Sequence, residues 1–122
     1  MSAATGPIAV VEDDASMLKG VANLLSVHGF TTELYSSAEE YLTSAAASKA
    51  ACLLLDIHLS GMSGIELARR LVASGSHLPF IFMTAVDDEK MQQEAMAAGC
   101  IAYLYKPFTD SALIEAINRA AH

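Results

Sequence analysis

Asp56 closes the apolar run Ala51-Cys52-Leu53-Leu54-Leu55. A strand covered on both faces should not simply end in a carboxylate, because a buried charge without a partner is costly. Ile8-Ala9-Val10-Val11 likewise runs into Glu12-Asp13-Asp14, and Ile101-Ala102-Tyr103-Leu104-Tyr105 runs into Lys106-Pro107. Acids at the ends of two apolar runs, with a lysine at the end of a third, suggest one reactive edge. Crowded carboxylates repel one another unless a cation holds them. Mg2+ takes one or two carboxylates, waters and a phosphate oxygen, so Glu12, Asp13 and Asp56 suit it. Lys106 can reach over the acids to a phosphoryl oxygen, or form a salt bridge with the acids themselves. Thr84 ends Phe80-Ile81-Phe82-Met83 and is a candidate hydroxyl contact; an ordinary strand threonine is the equal alternative. Asp14 reads as a helix N-cap and Tyr103 as half-buried packing. Whether Lys106-Pro107 is cis is open at this level.

The elements that must position these groups alternate along the chain. Five short apolar runs (Ile8–Val11, Thr31–Tyr35, Ala51–Leu55, Pro79–Met83, Ile101–Tyr105) are separated by segments of helical period. The third and fourth runs are too continuously apolar for a sheet with one wet face, and Thr31–Tyr35 is polar enough for an edge. Leu18, Val21, Ala22 and Leu25 form one helical stripe, stopped by His28-Gly29. Ser37-Ala38-Glu39-Glu40 and Ser63-Gly64-Ile65-Glu66 resemble capping boxes, the first opening an Ala-rich helix at Tyr41-Leu42. Asp87-Asp88-Glu89 places acids in a first turn, and Gly99 ends that helix. Leu113, Ile114, Ile117 and Ala121 stripe the last helix. With right-handed crossovers the expectation is an α/β, doubly wound (βα)5 three-layer sandwich. Its parallel five-stranded sheet takes the flavodoxin-like order 2-1-3-4-5, with the site at the carboxyl ends near the switch between strands 1 and 3.

Composition narrows the functional classes. The 122 residues read as one domain, 1–122, and the apolar fraction of 53% supplies a core for both faces. A net charge of −7, with the basic residues scattered, argues against direct nucleic-acid binding. No apolar run approaches the ~20 residues of a membrane span, and the N-terminus lacks a signal-peptide pattern. Cys52 and Cys100 read as reduced, buried thiols, which suits a cytoplasmic protein; the four histidines show no ligand spacing.

The set Glu12-Asp13, Asp56, Thr84, Tyr103 and Lys106-Pro107-Phe108, with the loop Asp56-Ile57-His58-Leu59-Ser60-Gly61-Met62-Ser63-Gly64, closely resembles the receiver domain of bacterial two-component response regulators. The resemblance covers essentially the whole chain. It implies that Asp56 is the phosphoacceptor, charged by the phosphohistidine of a sensor histidine kinase or histidine phosphotransfer protein. Asp13 and Asp56 would bind Mg2+ directly, with the backbone carbonyl of His58 as a third ligand and Glu12 assisting through water. Lys106 would pair with the phosphoryl oxygens, Thr84 would move to bond the phosphoryl group, and Tyr103 would swing inward behind it. The surface of the fourth helix, fifth strand and fifth helix would then change its partners, either a downstream effector or a second copy in a phosphorylation-dependent homodimer. Beyond self-catalysed phosphorylation and dephosphorylation, no enzyme activity is implied. Segments 37–42 and 95–99 look most like receivers that precede a LuxR-type helix-turn-helix. The expectation is either a stand-alone receiver or one cut from a longer regulator. Two departures stand out: Ser60 replaces the usual proline, a change expected to loosen the loop, and Glu12 replaces the commoner aspartate. His58 and Val86 occupy variable positions beside the phosphoryl site and bear on its lifetime.

Rival readings fit less well. An aspartyl phosphatase would place a second acid two residues after its nucleophile, where His58 stands, and would need a cap domain. A flavodoxin-like cofactor binder needs a phosphate-cradling loop after the first strand, where Glu12-Asp13-Asp14 would repel phosphate. A degenerate receiver, serving only as an interaction module, would not need the complete residue set.

Overall fold

The structure is a computed structural model that describes residues 6–120. Five strands and five helices alternate: β1 Ile8–Val11, α1 Ala15–Val27, β2 Thr32–Tyr35, α2 Ala38–Ser44, β3 Cys52–Asp56, α3 Gly64–Ala73, β4 Phe80–Thr84, α4 Glu89–Ala98, β5 Ala102–Tyr105 and α5 Asp110–Ala120. All strand pairings are parallel, in the order β2-β1-β3-β4-β5. The expected architecture is present. Four strands start one residue later than the apolar runs suggested, and β3 and β4 also end one residue later, at Asp56 and Thr84.

The period of two along each strand divides the core into two layers. Ala9, Val11, Leu53, Leu55, Phe80 and Phe82 face the layer that holds α2, α3 and α4. Ile8, Val10, Cys52, Leu54, Ile81 and Met83 face α1 and α5. Every residue of β1, β3 and β4 is buried, as expected of a sheet covered on both sides. Removing one such side chain, as in Leu54→Ala, costs about 2–5 kcal/mol in cores of this density.

Helix ends follow the sequence signals with three differences. Asp14, Ser37, Ser63 and Asp88 are N-caps, accepting from the N–H groups of Met17, Glu40, Glu66 and Met91. Asp88 therefore precedes α4, leaving Glu89 as its first-turn acid. The box at Ser63 is half-formed, because the Glu66 carboxylate pairs with Arg70 at 3.0 Å. Helix α2 is seven residues long and stops before Ala46-Ala47. Just beyond, Ser48 Oγ and the Lys49 N–H donate to Glu33 Oε1 and Oε2, fastening the segment after α2 to β2. Gly29 (φ 87°) and Gly99 (φ 98°) end α1 and α4 in the left-handed conformation that glycine adopts without strain. In α5, Leu113, Ala116 and Ile117 are buried; Ala121, which the stripe included, lies outside the described residues. No helix among the described residues is long and apolar enough to cross a membrane.

Candidate functional site at the carboxyl edge of the sheet

Register assembles the site. Val11 of β1 is level with Leu55 of β3, so Glu12 and Asp56 emerge side by side one residue later. Thr84 is level with Tyr105, and Lys106 follows on the same edge, its N–H donating to the Thr84 carbonyl at 2.8 Å. Parallel strands deliver their last residues to one edge, which is why three groups far apart in sequence converge.

The convergence is close. Glu12, Asp13 and Asp56 each offer a carboxylate oxygen, and these atoms lie within 4.8 Å of one another. Lys106 Nζ donates to Glu12 Oε1 at 2.6 Å and to Asp56 Oδ2 at 2.9 Å. Asp56 Oδ1 accepts the His58 N–H at 2.9 Å, and Glu12 Oε2 accepts the Asp14 N–H at 3.2 Å. Glu12 and Asp56 are 1% and 5% exposed, so both charges are held away from water. Asp13 is exposed at the rim, where its Oδ2 accepts both the N–H and the hydroxyl of Ser60, at 2.9 and 3.0 Å.

These contacts set the acidities. Desolvation, with the Asp56 side chain close by, holds the Glu12 carboxyl above its ordinary value despite Lys106. Burial acts to lower the Lys106 ammonium, but hydrogen bonds to Glu12 and Asp56 outweigh it and hold the pKa above the ordinary value. The Ser60 N–H holds the Asp13 carboxyl below the ordinary range. An arrangement of two buried acids, one rim acid and one lysine is rich in hard oxygen donors and short of positive charge. It fits a small divalent cation.

The other expected residues are near this edge without joining the cluster. Thr84 is fully buried, and its Oγ1 accepts the Val86 N–H at 3.1 Å, so the hydroxyl serves its own turn. Tyr103 packs half-buried against the Phe80–Phe82 layer, and its hydroxyl is buried with no hydrogen-bond partner among the described residues. The Lys106-Pro107 bond is cis. Cys52 is a free, buried thiol whose pKa burial pushes up to about 12. Cys100 is also free but only half-buried.

Three contributors escaped the sequence reading. Ser60 was expected to loosen its loop and instead ties it to Asp13. Glu39 Oε2 accepts the Met62 N–H at 2.9 Å and so holds the same loop from α2. Gly64 passes so close to β3 that a Cβ there would lie 2.2 Å from the Asp56 carbonyl oxygen. Gly61-Met62-Ser63-Gly64 carries a sequence trace of that approach, since glycine permits backbone contact. Nothing local marks Ser60 or Glu39.

Comparison with known proteins agrees with this geometry. The sequence model described as "Response regulator receiver domain" matches residues 8–118. The chain is 38% identical over 111 residues to nodulation protein W of Bradyrhizobium diazoefficiens, covering 91% of this chain and 49% of that protein. It is 37% identical over 112 residues to the transcriptional regulatory protein FixJ of Rhizobium meliloti, covering 92% and 55%. The chain thus spans about half the length of the curated relatives it matches. Among solved structures it superposes on FixJ-N with a TM-score of 0.91 at 35% identity, covering 99% of this chain and 95% of that one. The response regulator StyR gives 0.86 at 39% identity, covering 96% and 60%. With its matching sequence, strand order and acidic edge, the chain belongs to the response regulator receiver domain family.

Proposed function

We propose that this protein is a phosphorylation-operated switch in which Asp56 is the phosphoacceptor. The observation that carries the reading is the Lys106 ammonium held between Glu12 and Asp56, with Asp13 beside them, at the carboxyl edge of the sheet. An Asp56 carboxylate oxygen attacks the phosphorus of a phosphohistidine on a histidine kinase or phosphotransfer protein. A P–O bond forms, the P–N bond breaks, and the departing imidazole takes a proton from water. Such transfer needs little covalent help from the protein; positioning and neutralisation of charge carry it.

Each residue then has a defined task. Asp13 and Asp56, with the His58 carbonyl, would hold Mg2+, and Glu12 would support it through water. The bound ion supplies positive charge against the phosphoryl oxygens. Lys106 leaves its ion pair with Asp56 and follows the new phosphoryl group. Thr84 turns its O–H from the Val86 carbonyl, 3.5 Å away, to donate to a phosphoryl oxygen. The space it vacates admits Tyr103, whose hydroxyl has no hydrogen-bond partner to lose among the described residues. Added charge thereby biases a two-state element formed by α4, β5 and α5. That face governs contact with an effector domain, an effector protein or a second copy of the chain. The acyl phosphate is labile, so hydrolysis resets the switch. The cytoplasm, where phosphohistidine donors are made, is the proposed location.

Intact mass after incubation with acetyl phosphate tests this directly. One phosphate adduct is expected with Mg2+, none in chelator and none in Asp56→Asn. Labelling of Asp56→Asn under the same conditions would remove Asp56 from the role.

A further inference from the structure

We propose that Ser60 is a positioning residue for the metal centre: its N–H and hydroxyl together grip Asp13 Oδ2 and fix that carboxylate for Mg2+. The inference rests on the phosphoacceptor reading and deepens it. Asp13 is the exposed member of the acid cluster. It lies two residues past the end of β1, and an exposed carboxylate ordinarily samples several rotamers. Ser60 removes that freedom with two bonds to one oxygen, at 2.9 and 3.0 Å, across 47 positions of sequence. A carboxylate has about four lone-pair sites, so a grip on Oδ2 leaves Oδ1 available to a cation.

The grip also runs through the loop that follows Asp56. Glu39 holds Met62 from the opposite side, and a Cβ on Gly61 would lie 2.7 Å from Glu39 Oε2. The segment carrying His58 is therefore tied at Ser60 to β1 and at Met62 to α2. One device orients the Asp13 carboxylate and fixes its distance from the His58 segment. Proline, usual at this position in the family, offers neither an N–H nor a hydroxyl and cannot make this grip. Hydrogen-bond donors to ligating carboxylates orient them in this way, and their loss typically weakens metal binding by about 10–100-fold.

The test is Mg2+ titration calorimetry on the full chain beside Ser60→Thr, Ser60→Ala and Ser60→Pro, with urea unfolding of each in chelator. Ser60→Thr keeps both donors and is expected to bind Mg2+ as the unaltered chain does. Ser60→Ala keeps only the N–H and is expected to raise Kd about threefold, the loss of one modest hydrogen bond. Ser60→Pro loses both donors and is expected to raise Kd about tenfold. Unchanged or tighter Mg2+ binding in Ser60→Ala and Ser60→Pro overturns the proposal, even if stability falls, and leaves the phosphoacceptor reading standing. Should Ser60→Pro fail to fold, the Ser60→Thr and Ser60→Ala pair decides alone. An unaltered chain that binds no Mg2+ overturns both this proposal and the metal in the proposed function.

Discussion

A lone carboxylate and a carboxylate cluster on this sheet make opposite use of the same chemistry. On edge strand β2, Glu33 stands alone among donors: Tyr35 Oη at 2.9 Å, Ser48 Oγ at 2.6 Å and the Lys49 N–H at 3.0 Å. Desolvation pushes its carboxyl up, but those three bonds outweigh it and hold the pKa below the ordinary value. At the carboxyl edge, Glu12, Asp13 and Asp56 share one ammonium, and burial leaves Glu12 above its ordinary value. A carboxylate surrounded by donors is satisfied by its own chain and fastens a loop. A cluster with more acids than cations is incomplete, and what it lacks is positive charge. That deficit, more than the number of acids, distinguishes a site from a strut.

The comparison can be broken most sharply by exchanging labelling for stability. Asp56→Asn should abolish acetyl-phosphate labelling, while Glu33→Gln should label like the unaltered chain in the same mass measurement. Equal labelling of both variants would erase the distinction. Lys106→Ala comes next. It removes the cation that pairs with both buried acids, and in chelator it should cost about 3 kcal/mol in urea unfolding. Mg2+ should recover more stability in this variant than in the unaltered chain, because the ion would replace the missing charge. Mg2+ binding should remain intact or tighten, while phosphorylation no longer alters partner contact. Lys106→Ala that showed no larger Mg2+ effect would remove charge deficit as the explanation.

Smaller effects sharpen the same contrast. Glu33→Gln should cost about 1 kcal/mol at neutral pH, with no dependence on Mg2+, because its bonds are partly open to solvent. The pH dependences should have opposite signs. Glu33 has a folded pKa below 4.5, so its contribution is present above that value and is lost as pH falls through the folded pKa. Glu12 has a folded pKa above 4.5, so its contribution is present below 4.5 and is lost as pH rises through the folded pKa. In chelator, the difference between the unaltered chain and Glu33→Gln should therefore shrink on acidification. As pH falls through the range just above 4.5, the unaltered chain should gain stability relative to Glu12→Gln. Urea midpoints measured at stepped pH would show both trends, and matching signs would count against the assigned environments. Thr84→Ala should have the smallest effect on chemistry: full labelling at Asp56, with a weaker response of partner binding.

Much of this site was legible because strand ends are local events. A short apolar run that stops at Asp56, at Glu12 or at Lys106 announces both the strand and its outlet. Once all strands are parallel, those outlets must share an edge. Thr84 shows the limit of that argument. Its place on the edge was readable, but the commitment of its hydroxyl to the Val86 turn was not, since a threonine can bond its own backbone or a neighbour with equal ease. Helix α2 shows a second limit. Alanines at 45–47 favour a helix, yet α2 ends at Ser44, and the bonds that fasten the following segment, from Ser48 and Lys49 to Glu33, join residues 15 and 16 positions apart.

By itself the sequence determined the five strand-helix units, the caps at Asp14, Ser37 and Ser63, and the acids and lysine at the strand ends. These follow from periodicity, propensity and the few residues around each junction. Only the tertiary structure decided that Lys106 lies between Glu12 and Asp56, that Ser60 grips Asp13, that Glu39 holds Met62, and that Gly64 must be bare to pass the Asp56 carbonyl. Those contacts join residues up to 94 positions apart. A hydrogen bond forms where two groups meet within about 3 Å at the right angle, and that meeting depends on strand register and loop path together.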